Sequence, residues 1–311
     1  MSEAPIAPEP GTRPDIVKPI EYQRTPFPTD GRFVQAFLGG HPEIAKTQGL
    51  WPDLIEANRG QPEAIMIFPG FNEKHTESIM KGRTVHSLIE NLNDTVSFID
   101  WMNLTNIEEL IACGLADHFE KNNYKGIKLF GTSHGGYFAL KLASYFHKFR
   151  QAGFNIPIES LVVAVAPASR GCFKKTFPLA LKSEFLGLGH LVLDGAVRKI
   201  SGRPLGVPGF VRRPRSDAVR LMAVSETPFQ PGDFPEGQIV HYFATDAELG
   251  NKDRLVNQPR AIKELQAAGV KVIVHDYKPD PGILNLGHII GDKPKMNEDL
   301  IQIFSQSDKI K

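Results

Sequence analysis

The chain has 311 residues, of which 41% are hydrophobic, so it can bury one sizeable core or two. A net charge of +1 gives no overall attraction for nucleic acid, and no nucleic-acid partner is expected. The only cysteines, Cys113 and Cys172, form neither a CxxC pair nor a disulfide framework, which is typical of a reducing compartment.

The first twenty residues contain five prolines and little apolar periodicity. We therefore predict a flexible arm over 1–20, followed by a single domain over 21–311. The arm has neither the basic start nor the apolar core of a signal peptide, and no apolar run in the chain reaches 18 residues. These features predict a cytoplasmic protein without a transmembrane segment.

Beyond the arm, short apolar runs alternate with segments at helical spacing. Residues 31–37 are predicted as an early edge strand, and 39–61 as irregular or briefly helical. The later predicted strands are 64–68, 95–100, 127–130, 161–165, 238–245 and 270–277, and the predicted helices are 76–91, 106–121, 137–146, 258–268 and 297–304. This alternation predicts an α/β fold with a mostly parallel sheet flanked by helices, which binds ligands at the carboxyl ends of its strands.

The sequence Gly131-Thr132-Ser133-His134-Gly135 joins one of these strands to the helix that follows it. A Gly-x-Ser-x-Gly pattern is weak by itself, but in a strand–turn–helix context it is typical of a nucleophile elbow. The flanking glycines leave room where the strand and helix backbones nearly touch. We therefore predict that Ser133 is a nucleophile.

A serine nucleophile needs a base, and the base needs a carboxylate that orients it. Of the ten histidines, His288 alone lies in a glycine-flanked loop just beyond the last predicted strand, so it is the predicted base. Asp246 directly follows the strand 238–245 and is the predicted acid, and Glu248 and Asp253 are the alternatives. The predicted oxyanion donors are the backbone N–H groups of His134 and of Phe71, which follows the strand 64–68.

With these residues the chain resembles the α/β-hydrolase superfamily over about 60–306. The resemblance implies a serine hydrolase that cleaves a carboxylic ester of a small-molecule acyl substrate through an acyl-enzyme. Amide or thioester hydrolysis, or a catalytically silent binding module, are the alternatives. The sequence before residue 60 shows no clear pattern for the early strands that this resemblance implies. The sequence lacks the GxxxxGK[ST], GxGxxG and HExxH patterns, so no cofactor and no metal are predicted.

An insertion at about 169–236 separates the predicted strands 161–165 and 238–245, where such enzymes often carry a lid. Eleven basic and five acidic residues give 170–235 a charge of +6, which permits contact with an anionic substrate or a membrane surface. Apolar residues recur at helical spacing over 184–200. We predict that this helix covers Ser133 and that Leu188 and Val192 contact the acyl chain.

Overall fold

Within the described part of the chain, eight β-strands form a single sheet in the computed structural model. The structure describes residues 21–42, 53–68, 70, 83–99, 108–174, 224–245, 253, 255–279, 288 and 290–306. The strands are β1 (Tyr22–Pro26), β2 (Asp53–Ala57), β3 (Glu63–Phe68), β4 (Thr95–Ile99), β5 (Gly126–Thr132), β6 (Ile158–Ala164), β7 (Ile239–Ala244) and β8 (Lys271–Asp276).

The strands lie in the order β1-β2-β4-β3-β5-β6-β7-β8. Only the pairs that include β2 are antiparallel, and every other neighbouring pair is parallel. This arrangement confirms the predicted mostly parallel sheet. It also brings the carboxyl ends of β3 to β8 to one edge, where ligands of such sheets bind.

Helices cover both faces of the sheet because the parallel strands are apolar on both sides. The face that includes Met66 packs against α1, α3, α4 and α5, and the face that includes Ile65 and Ile67 packs against α2 and α6. The helices are α1 (Arg32–Gly40), α2 (Arg83–Asn91), α3 (Glu108–Lys121), α4 (His134–Phe149), α5 (Gln258–Ala267) and α6 (Lys293–Gln306).

The predicted edge strand at 31–37 is wrong, because these residues form the start of helix α1. Phe33, Val34 and Leu38 are buried on one side of this helix, at the spacing of a helical face. The backbone N–H groups of Phe33 and Val34 donate to the buried carboxylate of Asp117, at 3.0 and 2.9 Å. A side chain from α3 therefore satisfies the first turn of α1, which no local pattern indicates.

The prediction for 39–61 is wrong at 53–57, which form the strand β2. Glu56 interrupts the apolar pattern of this strand, yet it is buried with its neighbours Leu54 and Ile55. Its carboxylate lies 2.8 Å from the ring of His118 and accepts a hydrogen bond from the hydroxyl of Tyr124. With β1, β2 supplies the early strands that the sequence did not reveal.

The other predicted strands and helices are confirmed with small shifts at their ends, where the structure describes them. The arm at 1–20, the start of the predicted helix 76–91 and the insertion over 175–223 lie outside the described residues. Among the residues that the structure does describe, no helix is long and apolar enough to cross a membrane.

A buried lysine joins three strands at the amino end of the sheet, opposite the edge where ligands bind. Lys128 of β5 is 1% exposed, and its Nζ lies 2.8 Å from Glu63 of β3 and 2.9 Å from Asp94, just before β4. Burial lowers the pKa of Lys128, but the two carboxylates outweigh burial, and the net pKa lies above its usual value. The lysine is therefore charged, and it forms ion pairs with two carboxylates that are themselves largely buried.

We expect Lys128→Met to lower the free energy of unfolding by about 3 kcal/mol, because it leaves these carboxylates without their cation. Urea denaturation measures the loss, and Lys125→Met, at an exposed position before β5, is the matched control. Equal stability of the two variants would contradict the structural role of Lys128.

Candidate active site

Ser133 lies at a sharp turn between β5 and α4. Its backbone has φ 52° and ψ −122°, in the left-handed region that a residue with a side chain rarely adopts. Its N–H donates to the carbonyl of Ala164 at the end of β6, at 2.7 Å. The turn projects the serine side chain from the carboxyl edge of the sheet, as the Gly-x-Ser-x-Gly motif predicts.

Two glycines permit this turn because the strand and the helix nearly touch. A Cβ on Gly131 would lie 2.3 Å from the carbonyl oxygen of Gly135 and 2.7 Å from the Cα of Gly136. A Cβ on Gly136 would lie 2.5 Å from the Cβ of Ala166. Any larger residue at either position would therefore push α4 away from the sheet.

The structure brings His288 to Ser133 from the loop after β8. The serine Oγ and the histidine Nε2 are 2.8 Å apart, although 155 residues separate them in the chain. This loop is closed at its base by a β-bridge between Pro279 and Ile290. The predicted nucleophile and the predicted base are thus within hydrogen-bond distance.

The carboxylate that contacts His288 belongs to Asp253, one of the two alternatives to the predicted Asp246. The Asp253 Oδ2 lies 2.8 Å from the histidine Nδ1. Asp246 lies outside the described residues, as does Glu248. Asp246 is the predicted acid because it directly follows a strand, whereas Asp253 lies seven residues further along the chain.

Both oxygens of the Asp253 carboxylate accept hydrogen bonds, and the residue is fully buried. Oδ1 accepts from the backbone N–H groups of Leu255 at 2.8 Å and Val256 at 3.0 Å. Oδ2 accepts from the side-chain amide of Gln258 at 2.6 Å, in addition to His288. Burial raises the pKa of Asp253, but His288 and these hydrogen bonds outweigh burial, and the net pKa lies below its usual value.

An ionised Asp253 determines the tautomer of the neutral imidazole. Because a carboxylate can only accept, the Nδ1 of His288 carries the proton and donates it to Asp253. The Nε2 of His288 then accepts from the Ser133 hydroxyl. The side chain of His288 is 12% exposed and that of Asp253 is 0% exposed, so the carboxylate is the more deeply buried member of this pair.

Gly70, two residues after β3, lies directly against Ser133. The N–H of Gly70 donates to the Thr132 Oγ1 at 3.0 Å, and a Cβ on Gly70 would lie 3.2 Å from the Ser133 Cβ. Phe71, the predicted oxyanion donor in this turn, lies outside the described residues. His134, the other predicted donor, is the first residue of α4 and directly follows the serine. Both donor roles stay predictions.

The predicted lid contacts Leu188 and Val192 also lie outside the described residues. Sequence reasoning missed Thr132 and Gln258, which hold the turn after β3 and the carboxylate of Asp253. Thr132 occupies a variable position of the elbow motif, and Gln258 has no motif of its own. In the part of the chain that the structure describes, no group of three or more His, Cys, Asp or Glu residues has a geometry suited to a metal ion.

Solved esterase structures resemble this architecture over most of the chain. Carboxyl esterase 2 of the fungus Tuber melanosporum has a TM-score of 0.54 at 15% identity, over 95% of this chain and 89% of that one. A thermostable esterase of Pseudomonas putida has a TM-score of 0.52 at 13% identity, over 92% and 82%. The type II thioesterase BorB of the borrelidin biosynthetic cluster has a TM-score of 0.50 at 16% identity, over 79% and 92%.

The chain has the α/β-hydrolase fold. No protein-family model matches the sequence, and no curated protein matches it either. At identities of 13–16%, the likeness of the solved structures extends to the fold alone. The α/β-hydrolase sheet places Ser133 after β5, Asp253 after β7 and His288 after β8, the chain order Ser, Asp, His.

We expect Asp253→Asn to slow the labelling of Ser133 by a fluorophosphonate about 10³- to 10⁴-fold, because the amide no longer fixes the tautomer of His288. Asp246→Asn is the matched control and should react at a rate close to that of the wild type. The rates are measured by gel fluorescence, and peptide mapping identifies the labelled residue. The reverse order of the two variants would restore Asp246 as the acid.

Proposed function

We propose that the protein is a serine hydrolase that cleaves a carboxylic ester or a related acyl bond through an acyl-enzyme on Ser133. The observation that carries the proposal is the continuous chain of hydrogen bonds from the Ser133 Oγ through His288 to the buried carboxylate of Asp253, each 2.8 Å long. This arrangement activates a hydroxyl at neutral pH. The fold supports the same conclusion, because the similar solved structures include esterases.

In the proposed reaction, the Ser133 Oγ attacks the acyl carbonyl carbon while its proton passes to the Nε2 of His288. The carbonyl oxygen becomes an oxyanion next to the N-terminus of α4, where helix dipole and backbone N–H groups favour negative charge. The intermediate collapses, and His288 gives the proton to the leaving alcohol. Water then attacks the acyl-enzyme and loses a proton to His288, which returns this proton to the Ser133 Oγ as the carboxylic acid is released.

Thioester hydrolysis is the second candidate, since the type II thioesterase BorB shares the fold. The same three side chains serve both leaving groups, so the described residues favour neither. Turnover of matched pairs of substrates separates the candidates: a p-nitrophenyl ester and a thioester with the same acyl group, for acyl chains of two, four and eight carbons. A p-nitroanilide with the same acyl group tests amide hydrolysis.

We expect wild-type protein to hydrolyse at least one of these substrates, and Ser133→Ala to reduce kcat by a factor of order 10⁴ to 10⁶. Activity should fall at acid pH, because a protonated base cannot accept the proton of Ser133. Asp253 remains ionised there because its pKa lies below the usual value. Absence of turnover together with absence of fluorophosphonate labelling on folded protein would refute the proposed function.

We further expect Thr132→Val to reduce kcat about 10-fold with little change in KM. Valine keeps the shape of threonine but leaves the Gly70 N–H without its acceptor, so the turn that carries the predicted oxyanion donor loses its link to the elbow. Thr132→Ser keeps the hydroxyl and should retain most of the activity. If the serine variant loses as much as the valine variant, the hydroxyl is not the feature that matters.

A further inference from the structure

Gln258 is a fully buried residue at the start of α5, and the hydrogen bonds that the structure records for its side chain go to Thr245 and Asp253. Its Oε1 accepts from the backbone N–H of Thr245 at 2.9 Å. Its Nε2 donates to the Oγ1 of Thr245 at 3.0 Å and to the Oδ2 of Asp253 at 2.6 Å. One side chain therefore joins the end of β7 to the proposed triad acid.

The orientation of this amide is determined by its partners. A backbone N–H can only donate and a carboxylate can only accept, so the oxygen must face Thr245 and the nitrogen must face Asp253. Rotating the amide by half a turn would oppose oxygen to carboxylate and nitrogen to N–H. The contact between Gln258 and Asp253 is thus a charge-assisted hydrogen bond, the stronger kind.

The two oxygens of the carboxylate have different partners. Oδ1 accepts from backbone N–H groups, which stay in place whatever side chain stands at 258. Oδ2 accepts from Gln258 and from His288, so these two donors share one oxygen. A donor removed from Oδ2 leaves more negative charge facing the imidazole.

We propose that Gln258 is a positioning residue for the Asp253–His288 pair, which holds the carboxylate against the end of β7 and sets how strongly it attracts the proton on His288. The inference rests on the proposed function, because the reaction that Gln258 affects is the proposed hydrolysis at Ser133. It differs from a purely structural role, in which Gln258 only closes the connection from β7 to α5 and leaves the ionisation of His288 unaffected.

Two titratable groups of the described residues, Tyr242 and Cys172, lie near this carboxylate and do not ionise in the range of the test. Tyr242 of β7 interacts electrostatically with Asp253, and burial raises its pKa well above the usual value. Cys172 lies near Tyr242, and burial raises the pKa of this thiol to about 11. A change in the acid limb of the pH profile therefore does not come from either of these two groups.

The test compares Gln258→Met, Gln258→Glu and the wild type by kcat and KM from pH 4 to 9, with exposed Gln266→Met on the same helix as the matched control. We expect Gln258→Met to lower kcat about 10- to 100-fold with a smaller change in KM, since one hydrogen bond to a charged group is lost. Its acid limb should move to higher pH, because the less neutralised carboxylate stabilises the protonated imidazole.

Gln258→Glu gives a rescue that depends on pH. Two carboxylates at this distance cannot both ionise readily, so they share a proton at low pH, and that proton restores the bond to Asp253. We expect this variant to approach wild-type activity on the acid side of the profile and to lose it as the shared proton leaves. A pH-independent loss in both variants, or an unchanged acid limb in Gln258→Met, would overturn the proposal.

Proton NMR provides a readout that does not depend on turnover. The Nδ1–H of His288 should give a downfield resonance that His288→Ala removes and that both Gln258 variants shift, whereas Gln266→Met leaves it in place. If wild-type protein neither turns over substrate nor labels, the proposed function fails, and the resonance still decides whether Gln258 acts on the pair. An unshifted resonance in folded Gln258→Glu, whose shape matches glutamine, would reject the inference even if Gln258→Met does not fold.

Discussion

The close approach of β5 and α4 around Ser133 is the constraint on which the rest of the site depends. Because Gly131 lies almost in contact with the backbone of Gly135, the chain reverses within a few residues. The reversal forces Ser133 to φ 52°, which projects its side chain away from both elements. A less crowded crossing would let the serine relax, and its hydroxyl would no longer reach the Nε2 of His288.

The sheet brings together three side chains that are distant in the sequence, those of Ser133, Asp253 and His288. Parallel strands end at the same edge, so the segments after β5, β7 and β8 all begin there. Each segment is then fixed by its own local hydrogen bonds. The Asp253 loop uses two backbone N–H groups and Gln258, and the His288 loop uses the bridge between Pro279 and Ile290.

Features that depend on local pattern could be predicted from the sequence, and features that depend on distant partners could not. The apolar runs of β3 and β5 and the motif around Ser133 are local, and the structure has the strands, the turn and the helix where they were expected. Helix α1 has the local spacing of a helical face at Phe33, Val34 and Leu38, but the partner that caps its first turn, Asp117, is 84 residues away from Phe33. Strand β2 was missed because a distant histidine, His118, makes the burial of Glu56 tolerable.

The acid shows the same limit within the site. Asp246 directly follows a strand and so met the local criterion, which Asp253, seven residues later, does not meet. What places Asp253 against His288 in the structure is a set of donors that the fold assembles: two N–H groups close to it in the chain and the amide of Gln258. A carboxylate without such donors would be costly to bury in its ionised form, so the position of this carboxylate depends on the protein around it.

The carboxyl edge of the sheet also carries a second strained residue, and this explains how the elbow is braced. Val165 follows β6 with φ 48°, a conformation that a β-branched residue adopts only when its surroundings impose it. Its N–H donates to Phe243 of β7, while the preceding carbonyl, that of Ala164, accepts from Ser133. The strained residue after β6 thus links Ser133 to β7, the strand that precedes Asp253. Such strain, of order 1–3 kcal/mol per residue, persists only where the surrounding structure holds the residue in place, and here the hydrogen bonds between Ser133, Ala164, Val165 and Phe243 do so.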